Sequence, residues 1–360
     1  VSSTALSDPP AADSPRARQV SDYTDLAREV REAGLLERNY PYYWAKLVGM
    51  VAVYAALVTT FVLIGDTWWQ LFTAVVAAVV MTQAAFLGHD AAHRQIFVSG
   101  RWNDWTSLVV ANLFVGLSYG WWQHKHTKHH GNPNKDGVDP DIDLPVLAFT
   151  PAQADARKSR LTQWFTRHQG WFFFPLLLLE GIDLHYQGLK RVFGRAPISR
   201  RGVEIAFLGV RLVGYVALVL WVLSPLTALA FFAVHLGLFG LYMGGSFAPN
   251  HKGMPIVPKD LRIDFLRRQV LMSRNVKGGR FMDVALGGLN YQVEHHLFPS
   301  IPRTSLRRAK VIVERFCAER GVAYTETTLF ASYGIVVRYL NEVGLGVRDT
   351  FTCPLATSMR

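Results

Sequence analysis

The chain has 360 residues, half of them hydrophobic, and a formal net charge of +11. Its apolar residues gather in long blocks, which excludes an ordinary soluble domain and points to a bilayer. Only two cysteines occur, Cys317 and Cys353, far apart and in no metal-binding pattern, so a disulfide framework and a thiolate site are excluded and a reducing compartment is expected.

In chain order, residues 1–40 form a polar tail with Pro9, Pro10 and Pro15. It lacks a basic stretch followed by an apolar core, so it does not read as a signal peptide, and its first twenty residues are expected to be disordered. A single membrane unit would then cover 41–330, leaving 331–360 as a C-terminal tail. The first uncharged blocks are 47–64 and 71–87, joined by a turn that holds Trp68 and Trp69. The next are 205–223, with Arg211 inside it, and 226–247, joined at Ser224–Pro225. At about 1.5 Å per residue, roughly 20 helical residues cross about 30 Å of hydrocarbon. The expectation is an all-α integral membrane protein with four spans in two hairpins. Residues 88–204 and 248–330 would form a cytosolic helical cap.

Charge orients this arrangement. No Lys or Arg occurs between Lys46 and Arg94, or between Arg211 and Lys252, so both hairpin turns lack basic residues while their flanks are rich in them. The positive-inside rule then puts the turns outside and the cap in the cytoplasm, most simply at the plasma membrane. The basic surplus suits lipid headgroups or an acidic protein partner better than nucleic acid. Two further apolar stretches, 105–122 and 171–179, are read as interfacial or re-entrant helices. A crossing there would separate histidines that belong together.

Twelve histidines occur, most of them beside the cap ends of the spans. His89 and His93 form H-x-x-x-H in GHDAAHR, and His126, His129 and His130 form H-x-x-H-H in WWQHKHTKHHGNPN. His295 and His296 lie in NYQVEHHLFP with Gln292 where a further histidine would complete the same pattern, and His251 follows the fourth span. Spacings of three and four bring side chains to one helical face. Imidazole suits Fe, Zn, Cu and Ni. Eight histidines exceed what one ion of ordinary coordination can use, so two metals are implied. A zinc hydrolase needs about three protein ligands. A soluble ferritin-like site needs Glu-x-x-His, and no Glu here is followed by His at that spacing.

These three boxes, in this order and between these hairpins, resemble the membrane fatty acid desaturase superfamily. NYQVEHHLFPSIPR and WWQHKHTKHHGNPN are most similar to its front-end, or linoleoyl-CoA-type, branch. The resemblance covers roughly 42–324. It implies two iron ions held by His89, His93, His126, His129, His130, His251, His295 and His296, with Gln292 binding directly or through water. It further implies O2-dependent insertion of a cis double bond into an acyl chain carried by CoA, acyl carrier protein or phospholipid. The HPGG motif of a fused cytochrome b5 domain is absent, so electrons are expected from a separate donor of ferredoxin or cytochrome b5 type with its reductase. Some relatives place an Asn four residues before the equivalent of His251; Phe247 stands there, so any such ligand is missing or is replaced by the neighbouring Asn250. A related di-iron lipid hydroxylase is the alternative activity. A non-enzymatic metal carrier fits less well, because transport ligands belong inside the spans.

Other residues are weighed the same way. Asp90, beside a ligand, is a candidate to orient an imidazole, whereas Asp136, Asp139, Asp141 and Asp143 sit in the turn-rich NPNKDGVDPD and read as a solvated turn. His124 falls outside the box pattern and reads as a non-ligand, His168 as surface and His185 as a polar-face residue. His235, inside the fourth span, is expected to hydrogen-bond a neighbouring helix. Trp121 and Trp122 are candidate walls for an acyl tunnel. Residues 303–320 read as an amphipathic basic helix packed on the cap or lying at the headgroups.

Overall fold

The computed structural model describes residues 15–347, with side chains from residue 22. The chain opens on α1 (Pro15–Glu32), and α2 (Tyr40–Ile64) begins where Asn39 Oδ1 accepts from the Tyr42 N–H at 3.2 Å, with Pro41 in the first turn. A short turn leads to α3 (Gln70–Ala92), then α4 (Gly100–Val109), which runs into a π-helical segment (Val110–Val115). After Gly116 come α5 (Tyr119–Gly131), α6 (Pro151–Asp155), α7 (Arg160–Arg167) and α8 (Gln169–Phe193). The second hairpin is α9 (Arg201–Val222) and α10 (Pro225–His251). The remainder is α11 (Phe265–Leu271), β1 (Asn275–Lys277), α12 (Arg280–Ala285), α13 (Gln292–Leu297), α14 (Leu306–Glu319), β2 (Glu326–Thr328) and α15 (Leu329–Gly344). The two strands pair in parallel, Val276 opposite Thr327.

Four helices are long and apolar enough to cross a membrane: α2, α3, α9 and α10. Their outward faces expose Val48, Val51, Phe72, Val79, Val213 and Leu229, the pattern of a surface solvated by lipid. Trp68, Trp69 and Trp221 are exposed near the hairpin turns, where amphipathic rings sit at a bilayer boundary. The turns themselves are tied. Gln70 Nε2 donates to the Phe61 and Gly65 carbonyls at 2.7 and 2.8 Å, closing the open end of α2. Ser224 Oγ donates to Asp66 Oδ1 at 3.2 Å, so the two hairpins meet turn to turn.

The helices outrun the spans read from hydropathy. α2 begins at Tyr40 rather than residue 47, and α3 and α10 continue to Ala92 and His251, carrying the first histidines on their own last turns. The stretch 105–122 is broken at Gly116 into the α4–π unit and α5, while 171–179 lies within the longer α8. α8 packs antiparallel to α10 at a contact that only glycine allows. A Cβ on Gly181 would lie 2.3 Å from the Leu236 carbonyl oxygen, and one on Gly240 2.3 Å from the Gly181 nitrogen.

Both presumed tails differ from expectation. Residues 15–20, counted above as disordered, open α1, and 1–14 lie outside the described residues. α1 is amphipathic, so Leu26 and Val30 bury themselves against Val313 and Phe316 of α14. Likewise 331–344, assigned to a tail, belong to α15, whose Val336, Leu340 and Val343 pack with Phe173 and Leu177 of α8. Cys317 is buried beneath α1, and Cys353 lies outside the described residues.

Candidate metal centre

Four helix ends converge on one point of the cap. His89 and His93 stand on the last turn and C-cap of α3, His251 ends α10, His126, His129 and His130 line one face of α5, and Gln292, His295 and His296 come from α13. The imidazoles divide into two groups. Nitrogens of His89, His93, His126 and His295 all lie within 4.8 Å of one another, and so do those of His129, His251 and His296. His130 sits between them. Its ring centroid is 4.4 Å from His126 and 4.7 Å from His93 on one side, and 4.1 Å from His296, stacked at 6°, on the other.

Hydrogen bonds at the far ring nitrogen aim three of these groups. His129 Nδ1 donates to both oxygens of Asp139 at 3.1 and 3.0 Å, His251 Nδ1 to the Met272 carbonyl at 3.0 Å, and His296 Nδ1 to Gln269 Oε1 at 3.0 Å. Each bond fixes the tautomer that leaves Nε2 with a lone pair facing inward. Gln269 also donates from Nε2 to the His130 carbonyl at 2.9 Å, tying α11 to α5. Inside the cluster, His93 Nε2 is 2.8 Å from His126 Nε2, and His129 Nε2 is 3.3 Å from His251 Nε2.

Burial keeps the set neutral. It is the first cause pushing His93, His126, His130, His295 and His296 well below the ordinary histidine pKa, and neighbouring imidazoles push the same way. His129 is the exception. Burial again opposes its charge, but Asp139 and Asp141 outweigh burial and raise its pKa. Neutral imidazole is the ligating form. Among the described residues, His89 Nε2, both nitrogens of His130, His295 Nε2 and His296 Nε2 are buried with no hydrogen-bond partner. Buried polar atoms are rarely left so, because each costs about 1–3 kcal/mol. One nitrogen from each of these four rings is accounted for together by metal ligation. Two adjacent ions, with His130 between them, fit the donor set.

Gln292 joins the second group. Its Nε2 lies 2.9 Å from His251 Nε2, and its Oε1 accepts from Asn250 Nδ2 at 3.2 Å. Asn250 therefore touches Gln292 and not the imidazoles, while Phe247 presents its ring 6.3 Å from that of His89.

Two carboxylate expectations reverse. Asp90 orients no imidazole; its Oδ2 lies 2.8 Å from the Arg303 guanidinium, tying α3 to the segment that leads into α14. Tyr43 seals the same junction, accepting from the Arg303 N–H at 3.1 Å and donating to Gln95 Oε1 at 3.2 Å. Asp139, read above as part of a solvated turn, is fully buried and performs the orienting role. The Asn134 and Asp141 N–H groups donate to its other lone pairs at 2.8 and 2.9 Å, so the turn chemistry itself builds the pocket. Asp141 lies within 2.9 Å of Lys125 Nζ; burial raises its pKa, but Lys125, His129 and Lys252 outweigh burial and hold it low. Asp143 remains exposed, as expected of the turn.

Other residues fall where the spacing put them or surprise. His124 is exposed and outside both groups, and His168 is exposed with Nδ1 donating to the Trp164 carbonyl at 2.8 Å. His185 Nδ1 donates to the Gly181 carbonyl at 2.6 Å, within its own helix. His235 meets the Tyr215 hydroxyl of α9 at 2.5 Å. Trp122 stacks on His126 at 4.2 Å and 25°, so it contacts a ligand directly. Arg274 carried no sequence signal, yet it is buried and donates to the Pro249 and Lys252 carbonyls at 3.0 Å, closing the end of α10 beside His251. Burial alone lowers its pKa to about 10.

The fatty acid desaturase family profile matches residues 66–328, which hold all three boxes and the spans α3, α9 and α10. The chain belongs to the fatty acid desaturase family. Among curated proteins it is similar to an acyl-lipid (9-3)-desaturase of Physcomitrium patens, 29% identical over 91% of this chain and 64% of the moss protein. A Delta(8)-fatty-acid desaturase of Helianthus annuus is 26% identical over 91% of this chain and 74% of its own. A Delta(5) fatty acid desaturase of Caenorhabditis elegans is 28% identical over 91% and 75%. The chain thus spans between about two thirds and three quarters of these relatives.

Proposed function

We propose that this desaturase uses a di-iron centre and O2 to introduce a cis double bond into a fatty acyl chain. The observation that carries the reading is the pair of converging imidazole groups with His130 between them. His89, His93, His126 and His295 would hold one iron, His129, His251 and His296 the other, with Gln292 beside the second. Bound iron would supply the O2 reduction that removes hydrogen from an unactivated methylene pair. The balance is one CH2–CH2 unit, O2, two electrons and two protons giving CH=CH and two waters.

The protein's own groups set the conditions. Asp139, Gln269 and the Met272 carbonyl hold three rings in fixed tautomers, so ligand geometry costs no reorganisation during turnover. Burial of His89, His129, His251, His295 and His296 limits the access of bulk water. An apolar cavity of about 330 Å³ lies among the four spans, lined by Leu57, Met81, Phe114, Leu218 and Phe231 among others. We assign it to the acyl chain, whose length it would gauge. The basic flanks of the spans favour a centre on the cytoplasmic side of a cell membrane, where an external protein donor would supply the electrons.

Gas chromatography–mass spectrometry of fatty acids from cells producing the chain, with His130→Ala as control, tests this. A new unsaturated acid absent from the variant supports it. A hydroxy acid in its place overturns the desaturation step.

A further inference from the structure

The cavity among the spans is largely apolar, but Arg211, Tyr215 and His235 also line it. Arg211 lies well inside α9 and His235 well inside α10, each roughly 15 Å from the outer turn that joins these helices. At such a depth an ionisable side chain is costly and faces protein or a cavity. Tyr215 touches both. The Arg211 guanidinium lies over its ring at 4.7 Å, and its hydroxyl is 2.5 Å from His235 Nδ1.

Neither polar group is satisfied by the protein. A guanidinium is all donors. Arg211 Nε donates to the Phe114 carbonyl at 3.2 Å, but Tyr54 Oη donates to the same oxygen at 2.9 Å, so both of its lone pairs are taken. One Nη of Arg211 meets only Met81 Sδ at 3.7 Å, a weak acceptor, and among the described residues no carboxylate pairs with it. His235 is 2% exposed, and its Nε2, the nitrogen away from Tyr215, is buried with no hydrogen-bond partner. The Tyr215 bond leaves that Nε2 a donor or an acceptor, according to which group gives the proton. A hydroxyl meets either need, and its oxygen also accepts from a guanidinium. A plain hydrocarbon chain meets none of them.

We propose that Arg211 and His235 select an acyl chain that carries a hydroxyl group. The inference rests on the desaturase reading above and on the assignment of this cavity to the acyl chain. On α3, Met81 of the cavity wall precedes His89 by about two turns, roughly 12 Å. A chain held with its carboxyl end at the cap therefore carries the hydroxyl on the methyl side of the carbons being desaturated. A site that hydrogen-bonds a substrate hydroxyl disfavours the analogue lacking it, because its own buried polar groups are then left unpaired. The carboxylate of a free fatty acid is the other oxygen group that suits Arg211. It would need the chain to lie the opposite way, and the test separates the two.

Cells producing the full chain are fed stearic acid together with hydroxystearic acids whose hydroxyl stands at successive carbons of the methyl-side half. Unsaturated products are measured by gas chromatography–mass spectrometry. In wild type, one hydroxyl position is expected to be converted in preference to stearate by about ten-fold or more. That preference should vanish in Arg211→Met and in His235→Phe, and survive in part in Arg211→Lys, which keeps a donor. Two variants on different helices keep the test alive if one fails to fold. Purified proteins in nanodiscs give a second reading, in which native mass spectrometry counts retained methyl hydroxystearate and methyl stearate, esters without a carboxylate. Retention of the hydroxy ester over the plain one by wild type, lost in the variants, supports the inference. Equal conversion of all the acids by wild type, a preference unchanged in both variants, or retention of the free acids but of neither ester overturns it. Absence of product from every acid, with the hydroxy ester still retained, would remove the desaturase reading alone.

Discussion

Asp139 receives the Nδ1 proton of His129 at 3.0 Å, inside a pocket closed to solvent and lined by the N–H groups of Asn134 and Asp141. The bond makes a residue ten positions after His129 part of the candidate metal centre. Removing such a partner weakens metal binding by about 10–100-fold. Asp139→Ala is expected to lower iron occupancy after dialysis against a weak chelator by that order. Asp139→Asn, whose Oδ1 still accepts, should lose less. Iron content by mass spectrometry checks both, and equal retention by all three proteins would remove the role.

The metal-free protein should become less stable as pH falls. His93, His126, His130, His295 and His296 have folded pKa values depressed below 6.5, so the unfolded chain binds protons that the folded one refuses. Stability from these groups is present above pH 6.5 and declines below it. His129, whose pKa is raised, acts oppositely: its contribution is full below 6.5 and fades as pH rises through the folded value. Five against one gives net acid sensitivity. Melting temperature between pH 7.5 and 5 in detergent measures it, and a flat profile would contradict the burial argument.

Asp90 and Arg303 form an almost wholly buried ion pair between α3 and the segment before α14. Breaking such a pair from one side costs about 3–5 kcal/mol, because the other charge stays buried. Arg303→Met should therefore lower thermal stability sharply and loosen the α13 histidines. Asp90→Asn/Arg303→Met should recover part of the loss. A double variant no better than the single one would locate the cost elsewhere in the Tyr43–Gln95 junction.

If the intramembrane cavity gauges the chain, Leu218→Trp should shift product toward shorter acyl groups with little effect on iron content. Product profiles from mixed-chain feeding report this directly. An unaltered profile would assign the cavity another role.

The spans and the histidine cluster were legible because each leaves a periodic trace. Charge-free blocks near 20 residues mark α2, α3, α9 and α10, and spacings of three and four put His126, His129 and His130 on one face of α5. What supports the ligands leaves none. Asp139 lies among prolines, glycines and asparagines whose composition reads as solvated turn, and only tertiary folding buries it. Gln269 sits in a seven-residue helix, too short to display a face. Asp90 had the right neighbour, but Arg303, its partner, is remote in sequence. α1 was discounted as a tail because its apolar residues are sparse until matched with α14, and α15, though apolar, because at 16 residues it is shorter than a span and shows its partner only when packed on α8.

The parallel pairing of β1 with β2 has a temporal consequence. It joins Val276 to Thr327, one on each side of the segment that bears Gln292, His295 and His296. Both hairpins are already synthesised when this segment emerges, and the strand that clasps it follows later still. The histidines of α3, α5 and α10 therefore meet those of α13 only late in synthesis, and the clasp over the cluster closes only once β2 has emerged.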